Sequence, residues 1–303
     1  MSTRAMRILV TIPHFFNSQG DATHGSLSKD PRPRLIGLTM SLTALRALYD
    51  QRQCIIDIGK CEAFGVNNAQ DNILDILLCT TQDCHLLNQL QLPPRFYRHC
   101  PTEAEPMKLG FECQALLRDA LGKYDYYCYM EDDLILHDPW FFVKLAWFNA
   151  YGGDDCLLQP NRYEVSPYGL INKAYVDGDL LPHVTAKFQN IRDRPQLVGK
   201  VMEQPIQFNR SLNPHAGCYF LNNNQMEHWV KQPYFLDRDS SFVGPLESAA
   251  TLGIMKSFRI YKPAPAYANF LEIQHFGSTF LSLIGKQVRL GNSPQPTNQE
   301  VEG

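Results

Sequence analysis

Tyr126, Tyr127, Cys128, Tyr129 and Met130 run into three consecutive carboxylates, Glu131, Asp132 and Asp133, and no other stretch of the sequence concentrates charge so sharply. Adjacent acids repel one another, so a cation is their natural partner. Hard divalent ions such as Mg²⁺ or Mn²⁺ take carboxylate oxygens and share their remaining positions with phosphates. The aromatic run favours a buried, pleated strand, which sets the acids at the mouth of a sheet, where open α/β sheets bind ligands. The same pattern also suits a solvated turn in which Asp138-Pro139 opens the next helix.

Other residues suit an anionic ligand. Arg32, Arg34 and Lys108 are candidate diphosphate contacts, because the loop after a first strand and nearby helix ends commonly meet phosphates, although each also reads as a surface charge. Gly217, before an expected strand, would let backbone approach a sugar closely; beside Pro214 it equally marks a turn.

The elements that must position these groups follow from periodicity. Residues 7–12 form an apolar first strand, and Pro13-His14 ends it and begins a polar loop up to Pro33. Leu35, Leu38, Leu42, Leu45 and Leu48 predict a helix over 34–49. Strands are expected at 54–58 and 73–80, and Pro106 opens a helix to about 121, closed by Gly122 before the acid-tipped strand. Strand, helix, strand implies a parallel sheet. An aromatic helix at 139–151, strands at 156–159, 218–221 and 258–261, and helices at 223–231 and 245–255 complete the pattern. Residues 162–205 are polar with weak periodicity and are expected to lie as an insertion over one side of the site.

With 303 residues, 44% hydrophobic and 19% charged, the chain can bury a large core as one α/β domain or two packed lobes. A formal charge of −3 and a pI near 6.3 give no broad basic surface, which argues against nucleic-acid binding. The apolar stretch 8–12 is too short for a signal core or a membrane span, so a soluble cytoplasmic protein is expected. Nine cysteines with no Cys-x-x-Cys pair read as reduced, mostly buried thiols.

Taken together, the first strand and its loop, the helix from Lys108-Leu109-Gly110 to Asp119-Ala120-Leu121 leading into the acid-tipped strand, and a late acid-bearing helix resemble a GT-A-fold glycosyltransferase over about residues 7–280. Glu131-Asp132-Asp133 resembles that fold's D-x-D motif in the form E-D-D. The resemblance implies an α/β, GT-A-like Rossmann-type mixed sheet with helices on both faces. It implies one domain over 1–285, with a nucleotide-binding part at about 1–160 and an acceptor side at about 161–285; beyond it, 286–303 is polar without apolar periodicity and is expected to be a disordered tail.

It further implies a metal (Mn or Mg) on Asp133, joined by His275 of Gln274-His275-Phe276-Gly277, and donor contacts from Pro13, His14, Arg34, Lys108, Glu131, Asp132 and Gly217. Glu247, in Pro245-Leu246-Glu247-Ser248, stands where inverting members carry a general base, which Asp often follows there and Ser248 follows here. The donor would be a UDP- or GDP-sugar, and the acceptor hydroxyl that of a glycan, lipid or protein.

Plainer readings stand beside these. His275 suits a core or loop histidine, and a glutamate in a first helical turn stabilises the helix dipole by about 0.3–1 kcal/mol without any chemistry. A sugar nucleotidyltransferase is a competing activity, but it would show a Gly-rich basic loop after the first strand, where Pro13-His14-Phe15-Phe16 stands with no glycine before Gly20. A non-catalytic divalent-ion or carbohydrate-binding protein is the other competitor; no EF-hand spacing supports it.

Overall fold

A computed structural model of the chain describes residues 5–19, 25–67 and 72–291. The expected tail from 292 onward, and residues 20–24 of the polar loop, lie outside the described residues.

In chain order the first half runs β1 (Arg7–Pro13), α1 (Arg32–Tyr49), β2 (Cys54–Asp57), β3 (Glu62–Gly65), β4 (Ile73–Thr81), β5 (Arg98–Thr102), α2 (Leu109–Asp119), β6 (Tyr126–Met130) and β7 (Leu134–Ile135). The second half runs α3 (Phe141–Gly152), β8 (Cys156–Leu158), β9 (Asn161–Val165), β10 (Lys173–Tyr175), α4 (Pro182–Thr185), β11 (Gln196–Val201), β12 (Gln204–Arg210), β13 (Cys218–Asn222), α5 (Asn223–Val230), α6 (Pro245–Ser257), β14 (Arg259–Pro263) and β15 (Glu272–His275).

A five-stranded sheet in the order β13-β6-β1-β4-β5 is the centre of the molecule, with β13 antiparallel to β6 and the other neighbours parallel. The near-continuous apolar runs of β1 and β6 are those of strands covered on both faces. Ile8, Val10 and Ile12 join the core under α1 and α3, whereas Leu9 joins the core under α2, α5 and α6. The fold is therefore a mixed α/β sheet with helices on both faces. Leu38, Leu42 and Leu45, the apolar stripe of α1, are fully buried. Gly110 in α2 allows close approach to α6, since a Cβ there would stand 2.6 Å from the Ala249 Cβ.

Two smaller sheets, β10-β9-β15-β7 and β11-β12-β14-β8, flank the central one. β6 belongs to the central sheet and β7 to the second, so Glu131-Asp132-Asp133 forms the corner between two sheets. β15 pairs with β7 through His275↔Leu134 and with β9 through Ile273↔Arg162, which brings three distant segments to that corner.

Three expectations change. The strand at 54–58 forms only a two-stranded hairpin with β3, with Ile55 and Ile56 exposed, and takes no part in the central sheet. Residues 162–205 are not merely a covering insertion: they supply β9, β10, α4 and β11. Their periodicity is weak because β9 alternates buried charge with an aromatic ring, Arg162 and Glu164 about Tyr163. The strand expected to stop at 261 continues to Pro263, whose missing N–H is tolerated because the strand ends there. All nine cysteines are free thiols, five of them buried. Among the described residues no helix is long and apolar enough to cross a membrane.

Candidate functional site

β1, β4, β5 and β6 run parallel, so their C-terminal ends open on one edge of the sheet, and β6 delivers the acidic triplet to that edge. The three carboxylates do different things. Asp132 points inward and is completely buried, with its Oδ2 2.5 Å from His14 Nδ1 and its Oδ1 2.5 Å from an Arg34 guanidinium nitrogen. Burial alone would raise its pKa, but Arg34 and His14 outweigh burial and hold it below the ordinary carboxylate range. His14 is itself sealed in: its Nε2 accepts the Leu86 N–H at 3.1 Å, which assigns the ring proton to Nδ1, facing Asp132. Both ring nitrogens are thus occupied inside the protein, and His14 orients Asp132 rather than facing open space.

Asp133 turns the other way. Its Oδ2 accepts from Arg34 at 3.1 Å and stands 3.7 Å from His275 Nε2, and its main-chain carbonyl accepts the Phe276 N–H at 2.8 Å. His275 is oriented from behind by Glu164, whose Oε1 lies 2.8 Å from Nδ1 and whose Oε2 accepts the Leu281 N–H at 2.7 Å. Burial works to lower the His275 pKa, but the Glu164 hydrogen bond and the Asp133 charge together raise it above the usual histidine range. Glu164, though buried, is held low by those same contacts.

Glu131 lies beside Gly217; among the described residues its ion pair is with Arg162 at 3.7 Å, and its N–H donates to the Gly217 carbonyl at 2.9 Å. Burial pushes its pKa up to about 7; Asp133 adds to the rise, and Arg162, His275 and Arg34 oppose it. Between the ordinary glutamate value and about 7, the folded chain holds a proton that the unfolded chain has released. The corresponding stability is therefore complete below the unfolded pKa and is lost as pH rises through about 7. Glu131→Gln is expected to flatten this part of the pH dependence, read as melting temperatures between about pH 5 and 8. A variant whose melting temperature falls over that interval as steeply as the parent's would contradict the assignment.

Gly217 has φ +63°, and a Cβ there would stand 2.5 Å from Glu131 Oε2. Both facts call for glycine. Gly217→Ala is expected to cost about 1–2 kcal/mol of stability and to displace Glu131, measured by denaturant unfolding; an unchanged midpoint would count against this.

The remaining expected residues are placed as follows. Pro13 is the last residue of β1, opposite Cys79, at the same sheet edge. Lys108 donates to the Arg238 carbonyl at 3.1 Å, on the segment that leads to α6, and exposed Arg32 pairs with half-buried Asp30. Glu247 is the third residue of α6, half-buried, with its Oε2 folded back so that a Cβ on Gly244 would stand 2.8 Å from it. One turn on, Thr251 Oγ1 lies 2.9 Å from His215 Nδ1, two residues before Gly217. Residues four apart share a helix face, so α6 turns the Glu247 side of its first turn towards the segment that carries Gly217.

Several members of the site were not singled out from the sequence. Arg162 bonds Asp177 at 2.8 Å, Lys262 reaches the same Asp177 at 3.4 Å and donates to the His215 carbonyl at 2.6 Å. Burial, aided by Arg162 and Lys262, drives the His215 pKa down to about 3, so this ring is neutral. The one available signal was the spacing of Arg162 and Glu164, two apart and hence on one face of a strand.

Among the described residues no three His, Cys, Asp or Glu side chains converge as a metal cage. Asp133 Oδ1, however, is buried without a hydrogen-bond partner, and the Glu164-oriented His275 stands next to the same carboxylate. A buried carboxylate oxygen without a partner and an oriented imidazole fit a small ion that takes its other ligands from phosphate and water, the habit of Mg²⁺ and Mn²⁺.

No protein-family model matches the chain, and no curated protein is similar to it at a significant level. Among solved structures, it is similar to S. aureus TarS residues 1–349 in complex with UDP, at 9% identity and TM-score 0.46, covering 89% of this chain and 60% of that one. Against a longer TarS structure it spans 37% of that chain's length. It is also similar to mouse xyloside xylosyltransferase 1, at 10% identity and TM-score 0.38, covering 84% of this chain and 81% of that one. A third likeness is to CMP:2-keto-3-deoxy-manno-octonic acid synthetase complexed with CTP, at 11% identity and TM-score 0.36, covering 86% and 92%. Likenesses of this degree carry no argument, and the function rests on the site.

Proposed function

We propose that the chain is a GT-A-type glycosyltransferase that moves a sugar from a nucleotide-sugar donor to an acceptor hydroxyl with inversion. The observation that carries this reading is the division of labour in the triplet. Asp132 is locked inward by His14 and Arg34, while Asp133 and Glu131 flank the sheet edge beside His275 and Gly217. That edge is where open α/β sheets bind nucleotides.

Displacing a nucleoside diphosphate from an anomeric carbon places negative charge on the departing phosphate. A Mn²⁺ or Mg²⁺ held by Asp133 and His275 supplies Lewis-acid stabilisation of that charge when bound. Arg34 fixes the carboxylates of Asp132 and Asp133 in place, and Glu164 keeps the His275 ring turned so that Nε2 faces Asp133. Glu131, with a pKa near neutrality, can both donate to and accept from hydroxyls of the donor's ribose or sugar. Gly217, having no side chain, leaves room for the Glu131 carboxylate. Glu247 accepts the proton of the attacking hydroxyl.

The loop after β1 favours transfer over nucleotidyl chemistry. Among the described residues of that loop, His14 and Phe16 are buried, so the turn next to β1 is packed into the protein rather than open to cradle a triphosphate. The test is a panel of UDP- and GDP-sugars assayed for release of nucleoside diphosphate, with Mn²⁺ and with EDTA. Release from at least one donor, abolished by EDTA, is expected. Release that ignores EDTA would remove the metal, and pyrophosphate formed from a sugar phosphate and a nucleoside triphosphate would favour the nucleotidyltransferase.

A further inference from the structure

Arg34 stands in the first turn of α1 and holds both aspartates of the acidic corner at once, with one guanidinium nitrogen 2.5 Å from Asp132 Oδ1 and another 3.1 Å from Asp133 Oδ2. Asp133 Oδ2 is also the oxygen that stands 3.7 Å from His275 Nε2, so the guanidinium already occupies the carboxylate oxygen next to the imidazole. A divalent ion shared by Asp133 and His275 through that oxygen would meet the arginine charge at the same atom. Like charges a few ångströms apart repel strongly where little water screens them, so ion and guanidinium compete for Oδ2. The two ends of the arginine's grip differ. Asp132 is completely buried and locked by His14 as well, whereas Asp133 lies at the sheet edge. The Arg34 Nε–H, moreover, is buried without an acceptor, so the guanidinium is not saturated by the two aspartates. The first turn of α1 carries neither an acidic residue nor a side-chain cap, which leaves the positive end of the helix dipole uncompensated beside it. A planar fork with an open donor in such a field suits phosphate oxygens.

We propose that Arg34 is an exchangeable counter-ion, which neutralises Asp133 while the corner is empty and passes to the diphosphate when a nucleotide enters, releasing Asp133 Oδ2 to the divalent ion. Its contact with Asp132 persists through the exchange, and metal is taken up with the donor rather than before it. The release of Asp133 to a metal rests on the metal-dependent reading above; the hold of Arg34 on a diphosphate does not.

The test compares the full-length parent with Arg34→Gln and Arg34→Lys. Lysine keeps a charge for buried Asp132 but lacks the fork that spans two carboxylates, so it decides the matter if the glutamine variant does not fold. Mn²⁺ binding without nucleotide is read from the electron paramagnetic resonance signal of the free ion, and binding of UDP and of GDP in EDTA by isothermal titration calorimetry. Arg34→Gln is expected to bind Mn²⁺ about tenfold more tightly than the parent, and Arg34→Lys a few-fold more tightly. The nucleotide that the parent binds better in EDTA is expected to be held about tenfold more weakly by Arg34→Gln and a few-fold more weakly by Arg34→Lys. An arginine that only braces the carboxylates gives a different pattern, looser Mn²⁺ binding in both variants with nucleotide binding unchanged. Mn²⁺ affinity that is unchanged or weaker in the variants, nucleotide affinity indifferent to Arg34, or a parent that binds neither nucleotide in EDTA would overturn the exchange without touching the metal on Asp133. Mn²⁺ held by none of the three proteins, with or without nucleotide, would remove the metal of the proposed function and the exchange with it.

Discussion

Asp133→Asn is expected to lower sugar transfer by about 10²–10³-fold and to raise the Mn²⁺ concentration needed for half-maximal rate, with little change in melting temperature. The substitution keeps the main-chain carbonyl that accepts from Phe276 and an oxygen able to accept from Arg34, so the corner between β6 and β7 stays in place. What it removes is the negative charge beside His275 and the buried Oδ1 that has no hydrogen-bond partner among the described residues. A purely structural carboxylate would show the opposite pattern, lost stability with intact turnover. Initial rates across a Mn²⁺ titration, beside a thermal melt, separate the two. Full metal-dependent activity in the variant would take Asp133 out of the metal site.

Glu247→Gln is expected to lower transfer by about 10²–10⁴-fold while leaving donor binding intact, the usual weight of a general base. The competing role is real: Glu247 folds back over the start of α6, where Gly244 offers no side-chain cap, and a carboxylate there steadies the helix dipole by about 0.3–1 kcal/mol. Loss of that contact would move the melt and spare the rate. Folding, donor binding, turnover and the anomeric configuration of the product therefore have to be measured on the same protein. Transfer within a few-fold of the parent, or a product that retains the donor's anomer, would remove Glu247 as the base.

The central sheet was legible because its signals are local. The leucine spacing of α1, the apolar run of β1 and the aromatic run of β6 each report burial within a dozen residues, and Gly122 and Gly244-Pro245 mark ends that the chain respects. The acidic triplet stood out for the same reason. Its internal division did not: the difference between Asp132 and Asp133 depends on His14 and Arg34, about a hundred residues away, and on which way a corner turns. His14 read as part of a ligand-facing loop, yet Leu86 and Asp132 close around it. The charged wall of Arg162, Asp177 and Lys262 joins residues up to a hundred positions apart, on two strands and the loop after β10, and in sequence each looks like solvated charge. Conversely Ile55 and Ile56 look like core and are exposed, because β2 and β3 pair only with each other.

The most direct measurement is a crystal structure with Mn²⁺ and a nucleoside diphosphate, with the metal located by its anomalous scattering. The expected result is a single Mn²⁺ peak within coordination distance of an Asp133 carboxylate oxygen, with His275 Nε2 and the diphosphate against the same ion. A bound nucleotide whose metal peak lies away from Asp133, with His275 still facing only Glu164 and Asp133, would contradict it.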